Sequence, residues 1–256
     1  MMPVSSKNNM HYTLEICSNS TQSALNAQQA GAKRVELCDN LWESGTTPSF
    51  GSIRKARELL NIGLFVLIRP RGGDFVYSDL EFEIIKEDII ACKEIGADGI
   101  VSGILNPDNT IDADRTQVLI ELAHPLPFTF HRAFDVTPDL FQSLDTLIAL
   151  GAKRVLTSGG LDNAADAGEV ITKLYQQAAG RIGILPGGGI DEANIGKLLD
   201  TGCTEFHLTG NDLCQSPAPA NALLLNGTTD IPENDYLESS VAKIEEVVQQ
   251  LQAHFG

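Results

Sequence analysis

Short apolar runs alternate along this chain with longer segments whose apolar positions recur at helical spacing. The clearest run is Leu64-Phe65-Val66-Leu67-Ile68, too short for a helix of its own and too apolar for a loop, so it reads as a buried parallel strand over Leu64–Arg69. Further strands are expected at Tyr12–Cys17, Lys33–Cys38, Gly99–Gly103, Phe128–His131, Arg154–Ser158, Ile182–Leu185 and Glu205–Leu208. Helical spacing fills the intervals: Ser20–Ala30, Ile53–Leu60, Asp79–Ile95, Asp112–Ala123, Pro138–Leu150, Asp162–Ala178, Asp191–Asp200 and Tyr236–His254. The first of these is capped by Ser18 to Ser20 and stopped by Gly31.

Eight strand-helix alternations in 256 residues match a (β/α)8 TIM barrel, an α/β fold, where an open doubly wound sheet more often has five or six strands. A weak internal repeat supports closure. Gly31 to Cys38, Gly96 to Gly103, Gly151 to Ser158 and Thr201 to Leu208 share a pattern of helix stop and then strand, and they fall on strands two, four, six and eight. No linker or shift of composition divides the chain, so we expect a polar, flexible leader over residues 1–11 and one barrel domain over 12–256.

Composition narrows the partners. A hydrophobic content of 43% is enough for a full core, and a net charge of −16 argues against nucleic acid or an anionic membrane surface. No segment approaches the roughly 20 apolar residues of a membrane span, and the polar N-terminus lacks the apolar core of a signal peptide. Five scattered cysteines (Cys17, Cys38, Cys92, Cys203, Cys214) without a CxxC spacing suit reduced thiols in the cytoplasm.

In such a barrel the ligand site lies where the strands end, so the residues at those ends are informative. Two guanidinium groups, Arg69 and Arg71, follow the third strand, with Pro70 stiffening the exit and Gly72 and Gly73 leaving room for a ligand; in so acidic a chain they point to an anion. The period of two places Glu15 with Cys17, and Glu36 with Cys38, on the inward faces of the first two strands, while Leu14, Ile16, Val35 and Leu37 face the helices. Buried carboxylates need partners, for which Arg69, Arg71, His131 and His207 are available. A general acid or base is then expected from Glu15 or Glu36 beside His131 or His207, with Asp135 orienting a ring or pairing an arginine, and Arg132 joins Arg69 and Arg71 as an anion-binding candidate.

The Gly187-Gly188-Gly189 turn after strand seven, with Thr209 after strand eight, presents backbone N–H groups where many barrels bind phosphate. Cys17 and Cys38 end adjacent strands about 4.8 Å apart, so their sulfurs could reach one soft ion, for which a two-coordinate Cu(I) site is the fitting form.

The stretches Glu15-Ile16-Cys17, Arg34 to Cys38, Gly45 to Ser49, Ile68 to Phe75 with Tyr77 to Asp79, Thr129 to Asp135, Arg154 to Gly159 and Pro186 to Gly189 resemble the CutC copper homeostasis family from about Tyr12 to His207. The resemblance implies a cytoplasmic TIM barrel that self-associates as a dimer or tetramer and binds Cu(I), with Cys17 and Cys38 in the ligand positions. Two glutamates, three arginines and two histidines at one barrel mouth exceed what copper trafficking needs. An enzyme acting on a small phosphorylated or carboxylated metabolite therefore stays open beside the copper reading, and a rim that docks another protein is a third alternative.

Overall fold

The apolar run at residue 64 forms the strand β3 (Gly63–Leu67) in the computed structural model, which describes residues 11–219, 223, 225, 226 and 231–256. The expected leader, apart from His11, lies outside the described residues. Around β3 run β1 (Thr13–Ser18), β2 (Arg34–Leu37), β4 (Gly99–Ser102), β5 (Phe128–Phe130), β6 (Arg154–Thr157), β7 (Gly183–Pro186) and β8 (Glu205–Leu208), all parallel, in the order β7-β6-β5-β4-β3-β2-β1-β8. A parallel bridge from Gly187 to His207 joins β7 to β8, so the sheet closes as a TIM barrel.

The helices α1 (Thr21–Gln29), α2 (Phe50–Leu59), α3 (Asp79–Ile95), α4 (Ala113–Ala123), α5 (Leu140–Leu150) and α6 (Gly168–Ala178) wrap the outside. Side-chain caps start the first five: Ser20, Ser49, Asp112 and Asp139 accept from first-turn N–H groups, and Ser78 with Glu81 forms a capping box on α3. Leu14, Ile16, Val35 and Leu37 face these helices within the large outer core. Cys17, Cys38, Phe65, Leu67 and Val101 form a separate cluster inside the barrel, so the alternation read from the sequence holds.

Three expected helices are changed. Asn163 caps a separate 3-10 turn over Ala164–Asp166, so the helix expected from Asp162 begins only at Gly168. Asp191–Asp200 gives only a 3-10 segment, Ile195–Thr201, preceded by a turn in which the Asp191 and Asn194 side chains accept from each other's backbone N–H. The last helix, α7 (Val241–Phe255), is preceded by β10 (Asp235–Ser239), which pairs antiparallel with β9 (Asn211–Gln215) in a hairpin outside the barrel. Asn19 and Asn26 tie this hairpin to the β1 end and α1 through the carbonyls of Leu237 and Ser239.

Polar side chains fill the lower barrel, and glycines on neighbouring strands make space for them. A Cβ on Gly183 would lie 3.1 Å from Arg154 Cγ, and one on Gly63 would lie 3.3 Å from Arg34 Cγ. Arg34 donates to Glu15 through Nε and to Glu205 through Nη2 (2.5 Å), while Arg154 Nε reaches Glu205 at 2.7 Å. Both guanidinium groups also lie over the Phe65 ring, 4.9 and 5.2 Å from its centroid.

Burial opposes the charge on Glu15, but Arg34 and His207 outweigh it and bring the carboxyl from its ordinary 4.5 down to about 2. The unfolded chain protonates Glu15 near pH 4.5 while the folded chain resists until about pH 2. This contribution is therefore complete above 4.5 and is lost as pH falls towards 2. It is on the order of 3 kcal/mol at neutral pH. Urea midpoints at pH 7 and pH 3 are expected to differ less in Glu15→Gln than in the wild type; equal losses in both would contradict the assignment.

Candidate functional site at the barrel mouth

The parallel register brings four predicted residues together on the floor of the mouth. Glu15 pairs with His207 across β1 and β8, and Cys17 with Glu36 across β1 and β2, so Glu15, Cys17, Glu36 and His207 converge. His207 Nδ1 lies 2.8 Å from Glu15 Oε1 and His207 Nε2 lies 3.5 Å from Glu36 Oε2. The ligand atoms of Cys17, Glu36 and His207 all lie within 4.8 Å of one another. Cys17 Sγ is 3.6 Å from Cys38 Sγ, and all five side chains are buried.

Charge on this floor is set by mutual contact. Burial pulls His207 down, but Cys17, Glu15 and Glu36 raise it well above its ordinary value, so its imidazolium bridges the two carboxylates. Burial raises Glu36. Contact with Cys38, then burial, pushes the Cys17 thiol well above its ordinary value. A proton is thus shared among acids, thiol and ring in a volume sealed from water on one side. The arrangement can hold a cation in place of that proton, or pass the proton to a ligand.

Above the floor opens a cleft of about 410 Å³. Cys17, Glu36 and His207 form its base, and Arg69, His131, Arg132, Asp135, Gly188, Gly189 and Thr209 line its walls with apolar Leu41, Leu67, Phe75 and Ile190. Cys38 lies behind Cys17 and is not part of the wall; nor is Gly187, whose place beside Leu156 and His207 leaves no room for a Cβ.

Several predicted residues have other work than expected. Arg71 does not reach the cleft: Glu81 (2.5 Å), Asp74 (3.1 Å) and the carbonyls of Gly72 and Val76 take its donors, and it fastens the loop before α3. Arg69 lines the cleft but spends Nη1 on the carbonyls of Glu43 and Gly45, both at 2.6 Å, and Nη2 on Gly73 at 2.8 Å. It thereby clamps the loop that carries Trp42. Gly72 is needed for the close approach of Glu43 and not of a ligand.

His131 Nδ1 accepts from Ala133 N–H, which puts the proton of the neutral ring on Nε2, an atom with no partner among the described residues. Burial, then the nearby charge of Arg69, lowers this histidine to about 3. It is a neutral hydrogen-bond donor at physiological pH and not a proton carrier. Asp135 accepts from Thr157, from Ser158 N–H and Oγ, and from Arg132 Nε at 2.8 Å. So many donors make it a positioning group for Arg132 and the loop after β6, and the arginine it pairs is Arg132.

Arg34, Glu205 and Arg154 were not among the expected partners of the buried glutamates. Arg34 takes the place proposed for Arg69, Arg71 and His131 beside Glu15. The signal was there: Arg34 shares the inward period of Glu36 and Cys38, and Glu205 that of His207.

Known proteins agree with this architecture. The CutC family model matches residues 12–212. A human protein described as a copper homeostasis protein cutC homolog is 48% identical over 197 residues, covering 77% of this chain and 72% of its own length. The family protein CutC of Chromobacterium violaceum is 47% identical over 199 residues, 77% of this chain and 81% of that one. Among solved structures, the CutC protein of Streptococcus agalactiae superposes with a TM-score of 0.74 at 39% identity, covering 77% of this chain and 98% of that one. A thiamine phosphate pyrophosphorylase from Pyrococcus furiosus shares the barrel fold alone, with a TM-score of 0.59 at 16% identity over 98% of this chain and 99% of its own. With the barrel, the paired cysteines and these relatives taken together, the chain belongs to the CutC family.

Proposed function

We propose that this protein binds Cu(I) at the floor of the barrel mouth through Cys17 and Cys38 and serves copper homeostasis in the cytoplasm. The observation that carries the reading is the sulfur pair, 3.6 Å apart, with Cys17 open to the cleft and Cys38 directly behind it. Two sulfurs this close suit a soft monovalent ion, and Phe65, Leu67 and Val101 pack around the pair as an apolar surround. Human and mouse relatives that bear the name copper homeostasis protein support the same reading. The five unbridged cysteines fit a reducing compartment, and among the described residues no helix is long and apolar enough to cross a membrane. Self-association as a dimer or tetramer is carried over from the family resemblance as part of the proposal.

A second reading rests on the upper wall. Gly188 and Gly189 have φ of +109° and +67°, and the Arg132 guanidinium packs so tightly over Gly188 that a Cβ there would lie 2.9 Å from Arg132 Cζ. Among the described residues neither glycine N–H has a backbone acceptor. A fixed cation beside two glycine N–H groups suits the phosphate of a small metabolite, with His207 and Glu36 below it as acid and base.

For copper, an anaerobic competition titration of Cu(I) against a chromogenic chelator is expected to show one tight equivalent in the wild type and in Cys214→Ser, and none in Cys17→Ser/Cys38→Ser. Equal binding in the double variant would refute the site. For the second reading, glycerol phosphate is expected to protect the wild type against thermal unfolding, with at least about tenfold weaker affinity in Arg132→Met, the loss of one charged hydrogen bond. Unchanged affinity in that variant would exclude it.

A further inference from the structure

The carboxylate side of the floor has a geometry that copper does not require. His207 presents Nδ1 to Glu15 at 2.8 Å, and Glu15 is itself fixed by Arg34. Its other nitrogen, Nε2, faces Glu36 and Cys17. A ring held by a buried carboxylate at one nitrogen, so that the other is aimed at a cluster of donors, is the outer-partner arrangement of a metal-ligating histidine.

Glu36 supplies the second observation. Its side chain is 4% exposed, yet its one partner among the described ion pairs is His207 at 3.5 Å, beyond good hydrogen-bond distance. Glu15, its neighbour on this floor, is matched to an arginine; Glu36 is not. Its other contact is the Cys17 thiol. A carboxylate held only by a shared ring and a thiol is a ready ligand, and a cation between the three matches its charge directly.

We propose that Cys17, Glu36 and His207 form a site for a divalent ion of the zinc class, distinct from the Cys17–Cys38 pair and sharing only Cys17 with it. One sulfur, one nitrogen and one carboxylate oxygen are a borderline set that suits Zn²⁺ better than Cu(I). The three donors come from β2, β1 and β8 and all line the cleft, so the fourth position opens onto it. Three protein ligands with one open position are the pattern of a reactive zinc site, where a closed site with four would be structural. Glu15 is the positioning residue, acting through His207.

Sharing Cys17 makes the two ions competitors, and the other residues separate them. Co²⁺ added anaerobically to the apo protein serves as the probe. One equivalent is expected to give a sulfur-to-cobalt band in the near ultraviolet and strong visible bands of a four-coordinate ion, both removed by Zn²⁺. Cys38→Ser is expected to keep this spectrum while losing tight Cu(I). Glu36→Gln, nearly the same shape as the wild type, is expected to bind Co²⁺ at least about tenfold more weakly while keeping Cu(I), and His207→Gln to behave alike. Wild-type protein that leaves Co²⁺ with the spectrum of the aqueous ion would overturn the proposal, as would Glu36→Gln and His207→Gln spectra indistinguishable from wild type. Because the Cu(I) titration is scored on the same variants, loss of one reading leaves the other standing.

Discussion

Glu15 is a carboxylate placed in the middle of a barrel, and its charge has to be matched there. Arg34 and His207 do so from the two neighbouring strands. From that constraint follows most of the interior. Arg34 carries a second carboxylate, Glu205, which takes Arg154 in turn, and the glycines at 63 and 183 leave the volume that two guanidinium groups need. A core of leucine and valine alone would close a barrel of this size; the ion network instead fixes the orientation of His207 at its upper end.

That orientation separates two kinds of chemistry at the mouth. On the floor, sulfur, carboxylate and imidazole sit within reach of one ion. On the walls, neutral His131 Nε2–H, the Arg132 guanidinium and the glycine turn offer hydrogen-bond donors to oxygen. Arg69 spends its charge on the Glu43 and Gly45 carbonyls of one loop and the Gly73 carbonyl of another. The cleft therefore presents sulfur, carboxylate and imidazole ligand atoms below and hydrogen-bond donors above.

The sequence disclosed the strands and their faces because a period of two is strict in a sheet, so Glu15, Cys17, Glu36 and Cys38 were placed inward without a structure. The partner choice was less legible. Arg69 and Arg71 stand next to each other at a strand end and invite an anion, but whether a guanidinium is free or tied to carbonyls depends on loop paths that no periodicity encodes. Arg34 was hidden for the opposite reason: a charged residue at the start of a strand usually faces water, and only its register with Glu15 shows otherwise. The hairpin before α7 was missed because Tyr236 and Leu237 fit either period, and its pairing with Asn211–Gln215 is made across a long insertion.

The most direct test of a metal-binding floor is X-ray absorption at the copper edge on protein loaded with one equivalent of Cu(I) under reducing conditions. The account predicts a first shell with two sulfur atoms, those of Cys17 and Cys38. A shell of nitrogen and oxygen alone would mean that the sulfur pair is only packing, and that copper is not what this site was built to hold.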